Sequence, residues 1–183
     1  YELITSDWSS DVCSSDLLVI ATLNLLLQEQ LPQPKSRESL PSLSVLIPAR
    51  NEAHNIEALL SDLTHVESEC LLDIIVCDDA SEDSTAELVK TWMQRDSRIR
   101  LISSSGPPSG WLGKNHACHL LSRQARGRYL LFLDADVRLS PAFIERALSY
   151  ATTHRLSLLS LFPRQRMQTW AERVSVQIGR AHV

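Results

Sequence analysis

Leu71-Leu72-Asp73-Ile74-Ile75-Val76-Cys77 is apolar at nearly every position and runs straight into Asp78-Asp79. A strand with one wet face would carry a polar residue at every second place. A continuous apolar run is therefore read as a strand covered on both faces, as in a parallel sheet flanked by helices. Working outward, Ser44 to Ile47 is a similar run stopped by Pro48, and Tyr129 to Leu133 is another buried strand that ends in Asp134-Ala135-Asp136. Arg98 to Ile102 and Leu156 to Phe162 complete five predicted strands.

Amphipathic segments fill the intervals. Asn51 to Leu63 places Ile56, Leu59, Leu60 and Leu63 on one helical face. Ser84-Thr85-Ala86-Glu87 offers a capping box for a helix through Trp92. Asn115 to Arg126 reads as a helix closed by Gly127, and Ser140-Pro141 as the N-cap and first position of a helix reaching about Thr152. Strand and helix in alternation predict an α/β domain, a Rossmann-like fold with a mostly parallel central sheet and helices on both faces. Ligands of such sheets sit beyond the carboxyl ends of the strands. The polar residues cluster there: Arg50, Asn51 and Glu52 after the first strand, Asp78 and Asp79 after the second, Asp134 and Asp136 after the fourth.

The 183 residues are 44% hydrophobic and 22% charged, with a net charge of −4, which suits one globular domain and gives no footing for a polyanion partner. No repeat at a solenoid period is present, and the four Cys follow neither a disulfide nor a zinc spacing, so a reducing compartment is expected.

Both ends need separate treatment. Asp11 to Leu17 can be encoded by GAC GTG TGC TCT TCC GAT CT, whose reverse complement, read in another frame, encodes Ile178 to Val183. The pair resembles a short-read sequencing adapter translated in both orientations. Residues 1–17 and 178–183 are therefore expected to be artefactual, which leaves 17 basic and 18 acidic residues and a charge of −1. Leu17 to Leu27 is almost wholly apolar but shorter than the roughly 20 residues that span a bilayer. Residues 18–41 are read as the remnant of an N-terminal membrane helix followed by a Pro-rich linker, and 42–177 as the folded domain.

Two carboxylates at one strand end repel unless a cation joins them, and oxygen ligands suit Mg2+ or Mn2+, which commonly binds one or two protein carboxylates plus ligand phosphates. Asp134 and Asp136 fit that chemistry; capping of the following loop is the alternative. Asp78 and Asp79 have a comparable alternative in an Asx turn.

Taken in order and spacing, SVLIPARNE, DIIVCDDASEDST, GWLGKNHA and ARGRYLLFLDADV resemble the nucleotide-sugar-binding half of family 2 glycosyltransferases, over about Leu43 to Arg164. The resemblance is nearest to membrane-associated transferases of hopanoid and carotenoid pathways. It implies the A-type glycosyltransferase fold, of nucleotide-diphospho-sugar transferase type, and a metal-assisted, inverting transfer from a nucleoside-diphosphate sugar to a lipid or polyisoprenoid-type acceptor. Position by position, Pro48, Ala49 and Glu52 would line the nucleoside pocket. Asp79 would meet the base edge, with Asp78 the alternative. Lys114 would approach the diphosphate, or else be a solvated helix-start lysine. Asp134 would sit near ribose and metal, and Asp136 would ligate the metal directly. A membrane-associated protein with a cytoplasmic catalytic domain is implied.

One departure matters. Inverting members place a general base beyond the D-x-D strand, and Glu172 is the only acid after Glu145. The base is thus expected outside this sequence, leaving the chain inactive alone although its parent is an enzyme. A non-catalytic nucleotide-sugar-binding module is the rival of a different class. A sugar nucleotidyltransferase would need a Gly-rich loop that PARNEAHN lacks, and a receiver domain would carry its acidic pair on the first strand.

Overall fold

Strand β2 (Leu71–Asp79) is buried at every position except Leu72, because neighbours cover both its edges and both its faces. Strand β1 (Leu43–Ala49) runs parallel on one side, with Val45 opposite Ile74 and Ala49 opposite Asp78. Strand β3 (Ile99–Ser104) runs parallel on the other, with Ser104 opposite Asp79. Strand β4 (Tyr129–Phe132) pairs with the free side of β1, giving the order β3-β2-β1-β4. The chain steps outward from β1 to β3 and then returns to the far side of β1, and such a reversal opens a crevice at the carboxyl ends of the two strands that flank it. This computed structural model describes residues 31–32 and 40–161. The segments read as adapter-derived, the apolar run at Leu17 to Leu27 and everything beyond Leu161 lie outside the described residues.

Helices α1 (Ile56–Thr64), α2 (Thr85–Met93), α3 (Gly113–Gln124) and α4 (Phe143–Thr153) cover the sheet. On one face Ile56, Leu59, Leu60 and Leu63 of α1, Val89 of α2, and Ile144 and Leu148 of α4 share a core with Val45, Ile47, Ile74 and Val76. On the other, Ala117 and Leu121 of α3 pack on Leu46, Ile75 and Cys77. Helices on both faces of a parallel sheet are what the sequence pattern predicts. Among the described residues no helix is long and apolar enough to cross a membrane.

Several expectations are corrected. Pro48 does not stop β1: it pairs in register with Cys77. Pairing with β4 ends at Leu46, so at Pro48 the strand has a neighbour on one side only, where a missing N–H is tolerated. Helix α1 begins at Ile56 rather than Asn51, because Asn51 takes a left-handed conformation (φ 56°) and residues 53–55 form a turn. The Ser84 capping box does not form, since Asp83 accepts from the Thr85 N–H at 3.0 Å and does the capping instead. Pro141 lies in a turn before α4, with the Phe143 N–H donating to the Ser140 carbonyl at 3.0 Å. Strand β4 is not buried on both faces, as Leu130 and Phe132 are 42% and 45% exposed. Residues 156–161 form no strand, having no partner strand among the described residues, and Leu158 is 86% exposed.

Gly127 does not act as the left-handed stop of α3, which ends at Gln124 with an extended Ala125. It is glycine because the chain entering β4 crosses against β1, where a Cβ on it would stand 2.4 Å from the Ser44 nitrogen. The same crossing is fixed by a buried polar knot. Ser44 donates its hydroxyl to Asp73 and accepts from the N–H groups of Arg126 at 3.1 Å and Gly127 at 2.8 Å. Arg100 pairs with the other Asp73 oxygen at 3.2 Å and reaches the Gln124 carbonyl at 3.1 Å. Removing the hydroxyl leaves two backbone donors and one carboxylate oxygen short of partners. Ser44→Ala is expected to cost about 2–4 kcal/mol, read as a lowered urea midpoint at unchanged m-value. An unchanged midpoint would show that water replaces the hydroxyl at no cost.

Candidate functional site

The crevice at the carboxyl ends of β1 and β4 is a cleft of about 360 Å³ lined by the ends of three strands and the start of α3. From β1 and the turn after it come Pro48, Ala49, Arg50 and Glu52; from β2, Asp79; from α3, Gly113, Lys114 and Ala117; from beyond β4, Asp134, Ala135 and Asp136. Seven of the eight residues singled out from sequence are thereby brought together. Asp78 is the exception: it is buried (8% exposed) but does not line the cleft. Strand alternation explains this. Ile75 and Cys77 face α3, so Asp79 does too, whereas Asp78 shares the opposite face with Ile74 and Val76. Arg50, Gly113, Ala117 and Ala135 also line the cleft and were not singled out as site residues. For Arg50 the signal was available in its place directly after the first strand.

The turn bearing Arg50 and Glu52 is stitched to the loop after β2. Asn51 donates its N–H to the Ser81 hydroxyl at 3.0 Å and its side-chain oxygen accepts from the Glu82 N–H at 2.8 Å. The Glu52 N–H reaches the Thr85 hydroxyl at 2.9 Å and the Ala53 N–H reaches Asp83 at 3.0 Å. The Thr85 hydroxyl above all, helped by the N–H groups of Ala53 and Thr85, holds the Asp83 carboxyl below the usual carboxylate range. The Glu52 carboxylate accepts from the Asn55 side chain at 2.8 Å. The polar run from Ser81 to Thr85 is therefore scaffold for the first strand's turn.

Asp134 and Asp136 sit in a turn closed by the Val137 N–H and the Asp134 carbonyl at 3.2 Å, with both side chains exposed and Ala135 buried between them. The loop that follows is tied to α1: Arg138 grips Asp62 through Nε at 2.6 Å and Nη2 at 2.7 Å, and the Leu139 N–H joins at 3.0 Å. Lys114 Nζ lies 2.6 Å from Asp134. That hydrogen bond is the main cause of a lysine pKa raised above its ordinary value, with Cys118 and Asp136 adding to it and burial opposing.

Asp79 is 4% exposed, and its Oδ1 is shut off from solvent with no hydrogen-bond partner. Its Oδ2 lies 2.9 Å from where a Cβ on Gly113 would stand, so the glycine at the start of α3 makes room for this carboxylate. Burial, then Asp79 and Asp78, push the neighbouring Cys77 thiol up to about 12, which leaves it an inert filler of the core. The cleft thus sets four carboxylates against two cations, and one carboxylate is desolvated without a partner. A buried polar group in that condition is costly unless a ligand completes it.

The donor set fits a hard divalent cation. Asp134 and Asp136 present carboxylate oxygens on one wall, and Asp136 makes no side-chain hydrogen bond or ion pair with any described residue. No group of three or more His, Cys, Asp or Glu side chains among the described residues could hold a metal alone, so ligand oxygens would have to complete the shell. His116 and His119 pack instead against Trp111, with ring centroids 5.7 and 5.2 Å away. Trp111 itself is not among the cleft residues.

A glycosyl transferase family 2 model matches residues 44–179. The 4,4'-diaponeurosporenoate glycosyltransferase of Staphylococcus haemolyticus is 33% identical over 128 residues, which cover 69% of this chain and 33% of that protein. The chain thus spans about a third of the length of that relative. Among solved structures, the Pyrobaculum calidifontis mannosyltransferase PcManGT in complex with GDP-Man and Mn2+ superposes with a TM-score of 0.56 at 23% identity, over 75% of this chain and 40% of that one. TarS 1–349 of S. aureus in complex with UDP does so with a TM-score of 0.53 at 20% identity, over 69% and 38%. The likeness to these two is one of fold.

Proposed function

This chain belongs to glycosyl transferase family 2, and on that premise we propose that its cleft is the donor site of a glycosyltransferase that moves a sugar from a nucleoside diphosphate to a lipid-type acceptor. The observation that carries the reading is the convergence of Asp79, Glu52, Lys114, Asp134 and Asp136 on one crevice at the sheet's switch point. In this reading Pro48 and Ala49 form an apolar floor for the nucleoside and Glu52 accepts from ribose hydroxyls. Asp79 accepts from the base edge, its buried oxygen finding there the donor it lacks in the free protein. Asp134 and Asp136 would hold Mg2+ or Mn2+, which when bound neutralises charge growing on the leaving diphosphate. Lys114 turns from Asp134 to the diphosphate as ligand enters, trading one charged partner for another.

Support for a nucleotide donor comes from structural neighbours captured with GDP-Man and Mn2+ or with UDP. Support for a lipid-type acceptor comes from the staphylococcal relatives, which act on a carotenoid acid by name. The apolar run at Leu17 to Leu27 supports placement at a membrane, and a cytoplasmic cleft is part of the same proposal.

Calorimetric titration of the full chain with UDP and GDP, in Mn2+ and again in chelator, tests the donor reading. Binding should be stronger in Mn2+, and Asp136→Ala should lower it about tenfold while abolishing the dependence on metal. A folded chain that binds neither nucleotide, with or without Mn2+, would sink the proposal.

A further inference from the structure

Six charged side chains line the cleft, and Arg50 is the cation among them without a partner. Lys114 is held by Asp134 at 2.6 Å, whereas the exposed Arg50 guanidinium makes no hydrogen bond or ion pair with any described residue. Its backbone is nevertheless fixed: Asn51, the next residue, is in the left-handed conformation and bonded to Ser81 and Glu82. The fixed backbone points to a side chain kept for a ligand, since nothing in the fold uses it.

Its place says which part of the ligand. Arg50 follows directly on β1, the strand lying between β2, which ends in Asp79, and β4, which leads into Asp134 and Asp136. A donor recognised through its base by Asp79, and through a metal by Asp134 and Asp136, has to cross the end of β1. The group that lies between base and metal is the ribose and then the diphosphate. A guanidinium fork matches two oxygens of a phosphate in a plane, and it reaches them without first breaking a contact, as Lys114 must.

We infer that Arg50 is a phosphate-gripping residue of the donor site, the cation that engages the diphosphate first. The inference rests on the donor-site reading and is separable from it. The full chain is titrated in Mn2+ with UDP and GDP and, in parallel, with uridine and guanosine. Arg50→Gln should weaken nucleoside diphosphate binding about tenfold and change nucleoside binding less than about twofold, since the lost contact is to phosphate alone. Equal losses for nucleoside and diphosphate, or no loss for either, would overturn the role of Arg50 while leaving the donor site standing. A wild-type chain that binds no nucleoside diphosphate would overturn both.

Discussion

Gly127→Ala should prevent this domain from folding. The added Cβ would stand 2.4 Å from the Ser44 nitrogen, 2.6 Å from the Leu43 carbonyl carbon and 2.9 Å from the Leu43 Cα. All three are backbone atoms of β1, which is pinned between β2 and β4 and cannot retreat from one without losing pairing to the other. Moving Gly127 instead would strip the Ser44 hydroxyl of both backbone donors and displace Tyr129 from its register with Leu43. Either route costs more than about 5 kcal/mol, comparable with the whole net stability of a domain this size. Far-UV circular dichroism and a urea titration check it, and a native-like unfolding transition in the variant would show that the crossing loop relaxes in a way the geometry denies. Gly113→Ala is the control. Its Cβ meets only the Asp79 Oδ2 at 2.9 Å, the end of a side chain that can swing, so the fold should survive.

These two glycines show where sequence reading succeeds and where it stops. Gly127 announces itself in sequence, yet a helix stop and a close backbone approach use the same residue, and only the path of β1 tells them apart. The acidic strand ends were legible because a parallel sheet buries its strands, so the first polar residue after an apolar run marks the carboxyl edge. That same burial on both faces erased the alternation that would have separated Asp78 from Asp79. Parity in β2 is set by which neighbours face α3, and that is a property of the sheet. The apolar face of α1 was legible residue by residue because one covered side leaves a 3.6-residue rhythm. The run from Leu156 has a strand's apolarity without being one over residues 156–161, because apolarity speaks of burial, while a strand also needs an edge to pair with.

Asp79→Ala should move stability and binding in opposite directions. In the free protein the carboxylate is 4% exposed with one oxygen lacking any partner, so the fold carries a desolvated polar group that nothing inside it compensates. Removing it should raise the unfolding free energy by about 1–2 kcal/mol, less whatever the small cavity costs. The same change should weaken UDP or GDP binding about a hundredfold, because the base loses a charge-assisted hydrogen bond and its own donor is left unpaired in the cleft. Asp78 separates this from a general effect of trimming carboxylates at the end of β2. It too has a buried oxygen without a partner, but it lies on the opposite face, so Asp78→Ala should leave nucleotide binding within about twofold of the wild type, whatever it does to stability. Chemical denaturation and calorimetry on the same three samples decide the matter. Should Asp79→Ala lower stability and spare binding, the carboxylate would be a structural element of the strand end, and the base would have to be recognised by other groups of the cleft. The opposed signs are what a site built ahead of its ligand requires: an uncompensated group in the empty cleft is a cost to the fold, and the ligand that completes it recovers that cost as affinity.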